Sequence, residues 1–352
     1  MSKKVNFLDL GLQPLANNYL KKNQLNKKEK KYRLKIGLNL KTKLVSINKP
    51  ISSKIMFNNS YPYRSSMSKT MIKSFKDLSK LINKKFKPKK ILEIGSNDGS
   101  FMNNFPKKKV IGIEPCSNVE KITNKMGFNT YSKYWNLKTA KQLLKKNGKV
   151  DLIYSANTIS HIENLDEVFK SINIILNDQG VLIIEDPSLL ECLKQNTYDQ
   201  FYNEHIYVFS LVGIESILNK YNFEVFHIEN LKIHGGSNRY FIKKKQNKRK
   251  INLSVKIQRK KEIKYGITKL STYRKFARRV KGKCVSYGQA GKAKGGGARI
   301  KPGTSKGNAY CARSYGDMKS HGKDCSGKDR GTPLCLSRQK WKCSGKYSRK
   351  GK

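Results

Sequence analysis

No run in this sequence of 352 residues approaches the ~18 consecutive apolar residues of a membrane-crossing helix, which excludes a helical transmembrane protein. The 26 glycines follow no triplet period, which excludes collagen. The opening MSKKVNFLDLGL is charged but has no apolar stretch of signal-peptide length, so the cytoplasm is the expected compartment. No Cys-x-x-Cys pair occurs, so a zinc ribbon or finger has no ligand frame. Acids are scarce: 24 Asp and Glu face 75 Lys and Arg, a balance of 75 − 24 = +51. The hydrophobic share of 37% is low, yet enough for a core where the apolar residues cluster.

The basic excess is uneven. Residues 1–280 hold 56 basic and 21 acidic side chains, and residues 281–352 hold 19 and 3. The last stretch is rich in Gly and Ser and nearly free of branched aliphatics. It reads as a disordered basic tail, unable to bury enough apolar area to offset its ordering entropy, and a boundary falls near Val280. Cys284, Cys311, Cys325, Cys335 and Cys343 lie there, and an odd number argues against a closed set of intrachain disulfides. In the body, Lys is dispersed among Asn and Ile with no basic stripe interleaved with aromatics. That pattern fits solvated faces filled by an AT-rich coding bias better than a nucleic-acid surface.

From residue 91 onward the pattern is α/β. Ile91–Ile94, Val110–Pro115, Asp151–Asn157 and Val181–Pro187 read as strands, with Phe223–Ile228 and Arg239–Ile242 as late ones. Helical segments alternate with them at Val119–Met126, Asn136–Lys146, 165–175 and Leu211–Tyr221, and Asn136 is placed to cap its helix. Alternation of this kind implies a doubly wound parallel sheet.

The turn EIGSNDGS follows the first strand, and its glycines let the backbone approach a ligand beyond the carboxyl ends of the strands. Glu114 ends the second strand, 19 residues after Gly95, where a carboxylate can accept from ribose hydroxyls. The missing Gly-x-Gly-x-x-Gly disfavours a nicotinamide dinucleotide and suits S-adenosylmethionine, which has no pyrophosphate to cradle. The densest chemistry lies in NTYDQFYNEHIYVFS, with Tyr202, Glu204, His205 and Tyr207. Histidine is the side chain best matched to proton abstraction near neutral pH. His161 follows a strand end on the same ligand face, KIHGGSNRY carries His234 and Arg239, and SYPYRSS reads as a loop.

In their order, FLDLGLQPLANNYL, MFNNSYPYRSSMS, ILEIGSNDGSF, GIEPCSNV, SANTISHI, TYDQFYNEHIYVFSL and IHGGSNRYFI resemble the sugar C-methyltransferases. These S-adenosylmethionine-dependent enzymes methylate C-3 of nucleotide-linked 4-keto-6-deoxy sugars. EIKYGITKLSTYRKFARRV resembles the family's linker helix, so the resemblance covers about residues 7–280. It implies a class I methyltransferase (Rossmann-like) core over residues 61–242, after a degenerate remnant of a zinc-binding domain over 1–60. A basic linker helix over 243–280 and the tail over 281–352 complete the chain. The resemblance further implies His205 as general base, Glu204 and Tyr202 as sugar contacts, His161 as a second active-site histidine and Tyr63, before Tyr61, as the loop tyrosine. Glu93, Gly95, Asn97 and Glu114 match the cofactor positions, with Asn157 beside them. The implied chemistry is removal of the proton α to a ketone, followed by attack of the enolate carbon on the sulfonium methyl.

Two departures stand against it. The family's zinc domain uses two Cys-x-x-Cys pairs; this chain starts after the first, and the second pair's positions are Asn39 and Thr42, so zinc is not expected. After Val280 the family continues with a second Rossmann-like domain, which this tail does not resemble apart from a faint echo in YGQAGKAKGG. The alternative is therefore an inactive or truncated methyltransferase-like protein whose tail, with its Gly-Lys and Ser-Lys pairs and Tyr310, Tyr315, Trp341 and Tyr347, binds nucleic acid non-specifically.

Overall fold

The structure, a computed structural model, describes residues 3–276, 278–280, 283–285 and 300–349. In chain order the elements begin β1 (Lys4–Gln13), β2 (Tyr32–Asn39), β3 (Val45–Ile47), α1 (Ser53–Met56), α2 (Lys69–Lys85), β4 (Ile91–Ile94) and β5 (Val110–Ile113). They continue with α3 (Ser117–Lys125), β6 (Asn129–Tyr131), α4 (Leu137–Asn147), β7 (Val150–Ala156), α5 (Leu165–Ile175), β8 (Leu176–Pro187) and α6 (Leu189–Gln195). Then come β9 (Tyr207–Val208), α7 (Leu211–Leu218), β10 (Phe223–Leu231), β11 (Ser237–Lys244), α8 (Leu253–Tyr265) and α9 (Leu270–Phe276). Among the described residues no helix is long and apolar enough to cross a membrane. The chain forms two compact units, Met1–Phe7 with Leu12–Thr272, and Leu8–Gly11 with Tyr273–Lys352.

In the first unit a seven-stranded sheet runs in the order β10-β11-β8-β7-β4-β5-β6. Strands β6, β5, β4, β7 and β8 are parallel, but β11 is antiparallel to both β8 and β10. The all-parallel sheet expected from the alternation is therefore mixed at its end. Only the short turn around Ile233–Gly235 joins β10 to β11, and a parallel pair would need a crossover of a dozen or more residues. Strand β4 carries the pleat into both layers: Leu92 and Ile94 face α4, α5 and α7, while Ile91 faces α2 through Phe75, Leu78 and Ile82. Asn136 caps α4 as expected, its side chain accepting from the Thr139 amide at 2.9 Å. This strand order, with an antiparallel strand inserted next to last in space, is that of the class I methyltransferase core.

The N-terminal residues are more than a remnant. Strands β1, β2 and β3 form a sheet that takes β9 as its fourth member. Val45 pairs with Val208, and the Ile47 amide donates to the Ile206 carbonyl at 2.8 Å. Asn39 and Thr42 lie in a turn where the Asn39 Oδ1 accepts from the amides of Lys41 and Thr42, both at 3.0 Å.

The expected linker helix is two helices broken at Gly266, whose φ of +93° favours glycine. The first of them, α8, docks on the sheet unit: Val255 joins the core, and the buried Glu262 carboxylate accepts from the amides of Leu211 (2.8 Å) and Val212 (3.0 Å) at the start of α7.

In the second unit the expectation of a disordered tail fails over residues 300–349. Helices α10 (Ser305–Ser320) and α11 (Pro333–Lys340) and a hairpin of β14 (Cys343–Ser344) and β15 (Tyr347–Ser348) are tied by Cys311–Cys343 and Cys325–Cys335. The β12 (Arg278–Val280) and β13 (Lys283–Val285) pair precedes them. Four of the five tail cysteines pair, so the odd count did not preclude disulfides. Cross-links and a buried Arg338, donating to the Cys311 carbonyl and Ser314, replace the missing aliphatic core. Residues 281–282 and 286–299 lie outside the described residues.

Candidate active site

One cavity of about 810 Å³ in the first unit is lined by residues from the EIGSND turn, the SYPYRSS loop, SANTISHI and the YNEH segment. The turn after β4 and the end of β5 form one wall. Gly95 has φ +75°, and a Cβ there would meet Thr158 Oγ1 at 2.1 Å, so both its conformation and its contact require glycine. Asn97, also at positive φ, donates its amide to Glu114 Oε2 at 2.9 Å, and the Cys116 amide donates to Oε1 at 2.9 Å. These bonds fix the Glu114 carboxylate and leave lone pairs on both oxygens. Burial raises its pKa and the two amides oppose the rise.

Glu93 shares this wall. Its side chain is buried, its Oε2 has no hydrogen-bond partner, and burial followed by the charges of Asp98 and Glu114 raises its pKa well above the carboxylate range. An orphaned carboxyl oxygen in a cavity wall fits a ligand ammonium, and the methionine part of S-adenosylmethionine carries one. Asn157, at positive φ, places its Nδ2 3.4 Å from His234 Nε2.

The same cavity holds the acceptor-side candidates. His205 Nδ1 lies 2.9 Å from the Gln200 carbonyl, which only accepts, so Nδ1 carries the proton. In the neutral ring Nε2 is then the acceptor, and Tyr202 donates its hydroxyl to it at 3.0 Å. Burial lowers the His205 pKa to about 4, the Gln200 carbonyl opposes this, and His234 adds to it. His161 stacks between Phe57 (centroids 5.3 Å) and His205 (5.1 Å); its Nε2 is buried and unpartnered. Burial, then His205, pushes its pKa well below the usual histidine range. Both imidazoles are thus neutral at pH 7.

Glu204 is buried and held by two donors: Asn17 Nδ2 to Oε1 at 2.8 Å and Tyr61 OH to Oε2 at 3.0 Å. Tyr61, placed second in the sequence reading, is the tyrosine bonded to Glu204. Tyr63 also lines the cavity but is half-exposed, and its carbonyl accepts from Asn97 Nδ2 at 3.3 Å. Asn17, Phe57 and the Gln200 carbonyl were missed. Asn17 lies in the quoted LANNYL segment but has no period or neighbour that marks it, and a backbone carbonyl leaves no trace in residue type.

A zinc site does not fit residues 1–57, which contain no Cys or His. Among the described residues no group of three or more His, Cys, Asp or Glu is placed to hold a metal.

Residues 63–228 match the family described as a methyltransferase domain, residues 1–57 a putative zinc-binding domain, and residues 232–300 a C-methyltransferase C-terminal domain. The last match runs beyond Val280, where the sequence placed a boundary. The chain is 26% identical over 189 residues to the C-methyltransferase NovU of Streptomyces niveus, across 53% of this chain. It spans 45% of the length of that relative. A possible histamine N-methyltransferase of Thermotoga maritima, solved as a crystal structure, is 20% identical, with a TM-score of 0.38 over 50% of this chain and 89% of the other. The plantazolicin methyltransferase BamL is 16% identical, with a TM-score of 0.39 over 50% of this chain and 84% of the other. The strand order is that of the class I methyltransferase fold, and the stretch 63–228 within it is similar to the methyltransferase-domain family.

Proposed function

We propose that this protein transfers a methyl group from S-adenosylmethionine to carbon, on a keto-deoxy sugar carried by a nucleotide. The observation that carries the reading is the juxtaposition in one cavity of the Glu93–Gly95–Asn97–Glu114 wall and a neutral His205 with its basic nitrogen Nε2. The likeness to the C-methyltransferase NovU supports carbon as the acceptor atom, and the order of motifs resembling the sugar C-methyltransferases supports a sugar as its carrier.

When bound, the cofactor supplies an electrophilic methyl on a sulfonium sulfur. The Gly95 turn accommodates its backbone-facing part, Glu114 accepts from its ribose hydroxyls and Glu93 takes its ammonium. On the acceptor, His205 Nε2 receives the proton from the carbon next to the ketone once the Tyr202 hydroxyl turns away. The C–H electron pair moves into the new C=C bond, and the ketone oxygen becomes the enolate. The displaced Tyr202 hydroxyl donates to that oxygen, and His161 offers its unpartnered nitrogen beside it. Glu204, fixed by Asn17 and Tyr61, accepts from acceptor hydroxyls and sets the face presented to the methyl.

The test separates proton removal from transfer. In D2O without cofactor, the protein exchanges the carbon-bound proton of a nucleotide-linked 4-keto-6-deoxy sugar, and His205→Ala abolishes exchange while calorimetric binding of S-adenosylmethionine persists. Unchanged exchange in His205→Ala contradicts the base assignment. No heat on titrating folded protein with the cofactor contradicts the methyltransferase reading.

A further inference from the structure

Residues 300–349 of the second unit carry twelve Lys and Arg against three Asp. Asp324 and Asp329 are absorbed in one turn: Asp324 Oδ1 accepts from the amides of Ser326 and Gly327, and Asp329 accepts from the Asp324 amide and Lys323 Nζ. Asp317 lies near the C-terminal end of α10.

The other end is held by Ser348. Its hydroxyl accepts from the Gly303 amide at 2.9 Å and donates to the Trp341 carbonyl, and its amide donates to Asn308 Oδ1 at 2.8 Å. The start of α10 and the β14–β15 hairpin are thereby brought together. Exposed Lys301, Lys306, Lys342, Lys346 and Arg349 flank these joined points, and among the described residues none of the five meets a carboxylate. Of the four tail aromatics singled out in the sequence, Tyr310 and Trp341 stack on each other at 5.0 Å, and Tyr315 is covered by Lys319 and Arg338. Tyr347 remains, 70% exposed in the hairpin beside Lys346.

We propose that this end of the unit binds single-stranded nucleic acid, its five cations on successive phosphates and the Tyr347 ring stacked on one base. The cations account for affinity without sequence preference, because each phosphate contact releases a counterion. An unpaired base offers a face to an exposed ring, whereas a duplex keeps its bases stacked. A bilayer suits the surface less well: Tyr347 is the one large apolar side chain exposed among residues 300–349, and insertion needs a face of several.

The experiment uses the full, oxidised chain and a fluorescein-labelled oligo-dT in anisotropy titrations at several salt concentrations. Because the body is itself basic, the readout is a difference between variants. K342E/K346E/R349E is expected to weaken binding by on the order of tenfold or more and to flatten the salt slope, since each lost phosphate contact removes about 0.7 from it. Reversal of three body lysines, K84E/K85E/K108E, costs less. Tyr347→Ala, at an exposed position, is expected to lose roughly 5- to 100-fold on the single strand and to leave a duplex of equal length unaffected. The proposal is overturned if the tail reversal loses no more than the body reversal, if Tyr347→Ala binds oligo-dT unchanged, or if phosphatidylserine vesicles compete more strongly than unlabelled oligo-dT.

Discussion

Asn17 and Glu204 are 187 residues apart in the chain and meet through an amide-to-carboxylate hydrogen bond of 2.8 Å. Burial raises the Glu204 pKa, while Asn17 and then Tyr61 hold it down. The ionised carboxylate is the stronger acceptor for a substrate hydroxyl, so losing a donor moves its titration upward and activity falls away at a higher pH on the acid side. Asn17→Ala is expected to shift the acid limb of kcat/KM up by roughly one pH unit, and Asn17→Asp by more, because a second carboxyl beside Glu204 penalises its charge. Profiles of the three proteins between pH 5 and 9 decide it; an unmoved limb leaves Asn17 without influence on the carboxylate.

Glu93 should announce cofactor binding by releasing a proton. Burial biases its carboxyl toward the protonated form in the free cavity, and an ammonium at Oε2 favours the ionised form. Calorimetry of S-adenosylmethionine binding at pH 7, in buffers of different ionisation enthalpy, is expected to show proton release in the parent and none in Glu93→Gln. The variant should also bind roughly 10- to 100-fold more weakly, the loss of a charge-assisted hydrogen bond. Equal apparent enthalpies in all buffers would sink this assignment.

The two stacked histidines make stability depend on pH with a definite sign. Each folded pKa lies below the unfolded value near 6.5, that of His205 at about 4. As pH falls through 6.5 the unfolded chain takes up protons that the native state refuses, so stability declines toward the folded pKa. Urea unfolding at pH 7.0 and 5.5 is expected to differ by about 1–3 kcal/mol through the pair. In His161→Phe, which keeps a ring between Phe57 and His205, the difference shrinks.

The tail disulfides close loops of unequal length, with sequence separations of 32 and 10. In the chain-entropy account the longer loop contributes more, about 3.7 kcal/mol against about 2.7 kcal/mol for the shorter. Cys311→Ser with Cys343→Ser is expected to raise amide exchange over residues 305–340 to near unfolded rates, while Cys325→Ser with Cys335→Ser leaves α10 partly protected. Hydrogen exchange with mass spectrometry reads both. Full protection in the first variant shows that the unit does not depend on that bridge.

The central sheet was legible because strands buried on both faces are written as unbroken apolar runs, as in ILEI and VIGI. The Glu114 position and the His205 segment were legible from their places at strand ends and in a polar cluster. Other parts left weaker marks. Strands β1 and β2 alternate apolar residues with Lys and Asn in a chain where Lys is everywhere, so their period is masked. Helix α2 buries Met71, Phe75, Leu78 and Ile82 at helical spacing, but Lys69, Lys73, Lys76, Lys80, Lys84 and Lys85 around them blur that stripe in a Lys-rich chain. The tail has too few aliphatics to reveal a core by composition, because its interior is made of cystines, Arg338 and a stacked Tyr310–Trp341 pair. In the site, Asn17 and Tyr61 reach Glu204 only through tertiary folding, which no local pattern records.

The carboxylate of Glu262 has a consequence for where the sheet unit ends. Sheet order alone invites a stop after β11, at Lys244. A protein cut there would leave the amides of Leu211 and Val212 without the acceptors that Glu262 provides, and would uncover the hydrophobic surface beneath Val255. A piece that keeps these acceptors and this cover thus extends past the last sheet strand to the end of α8 at Tyr265. What resembles a connector to a following domain also serves as the clasp of the preceding one.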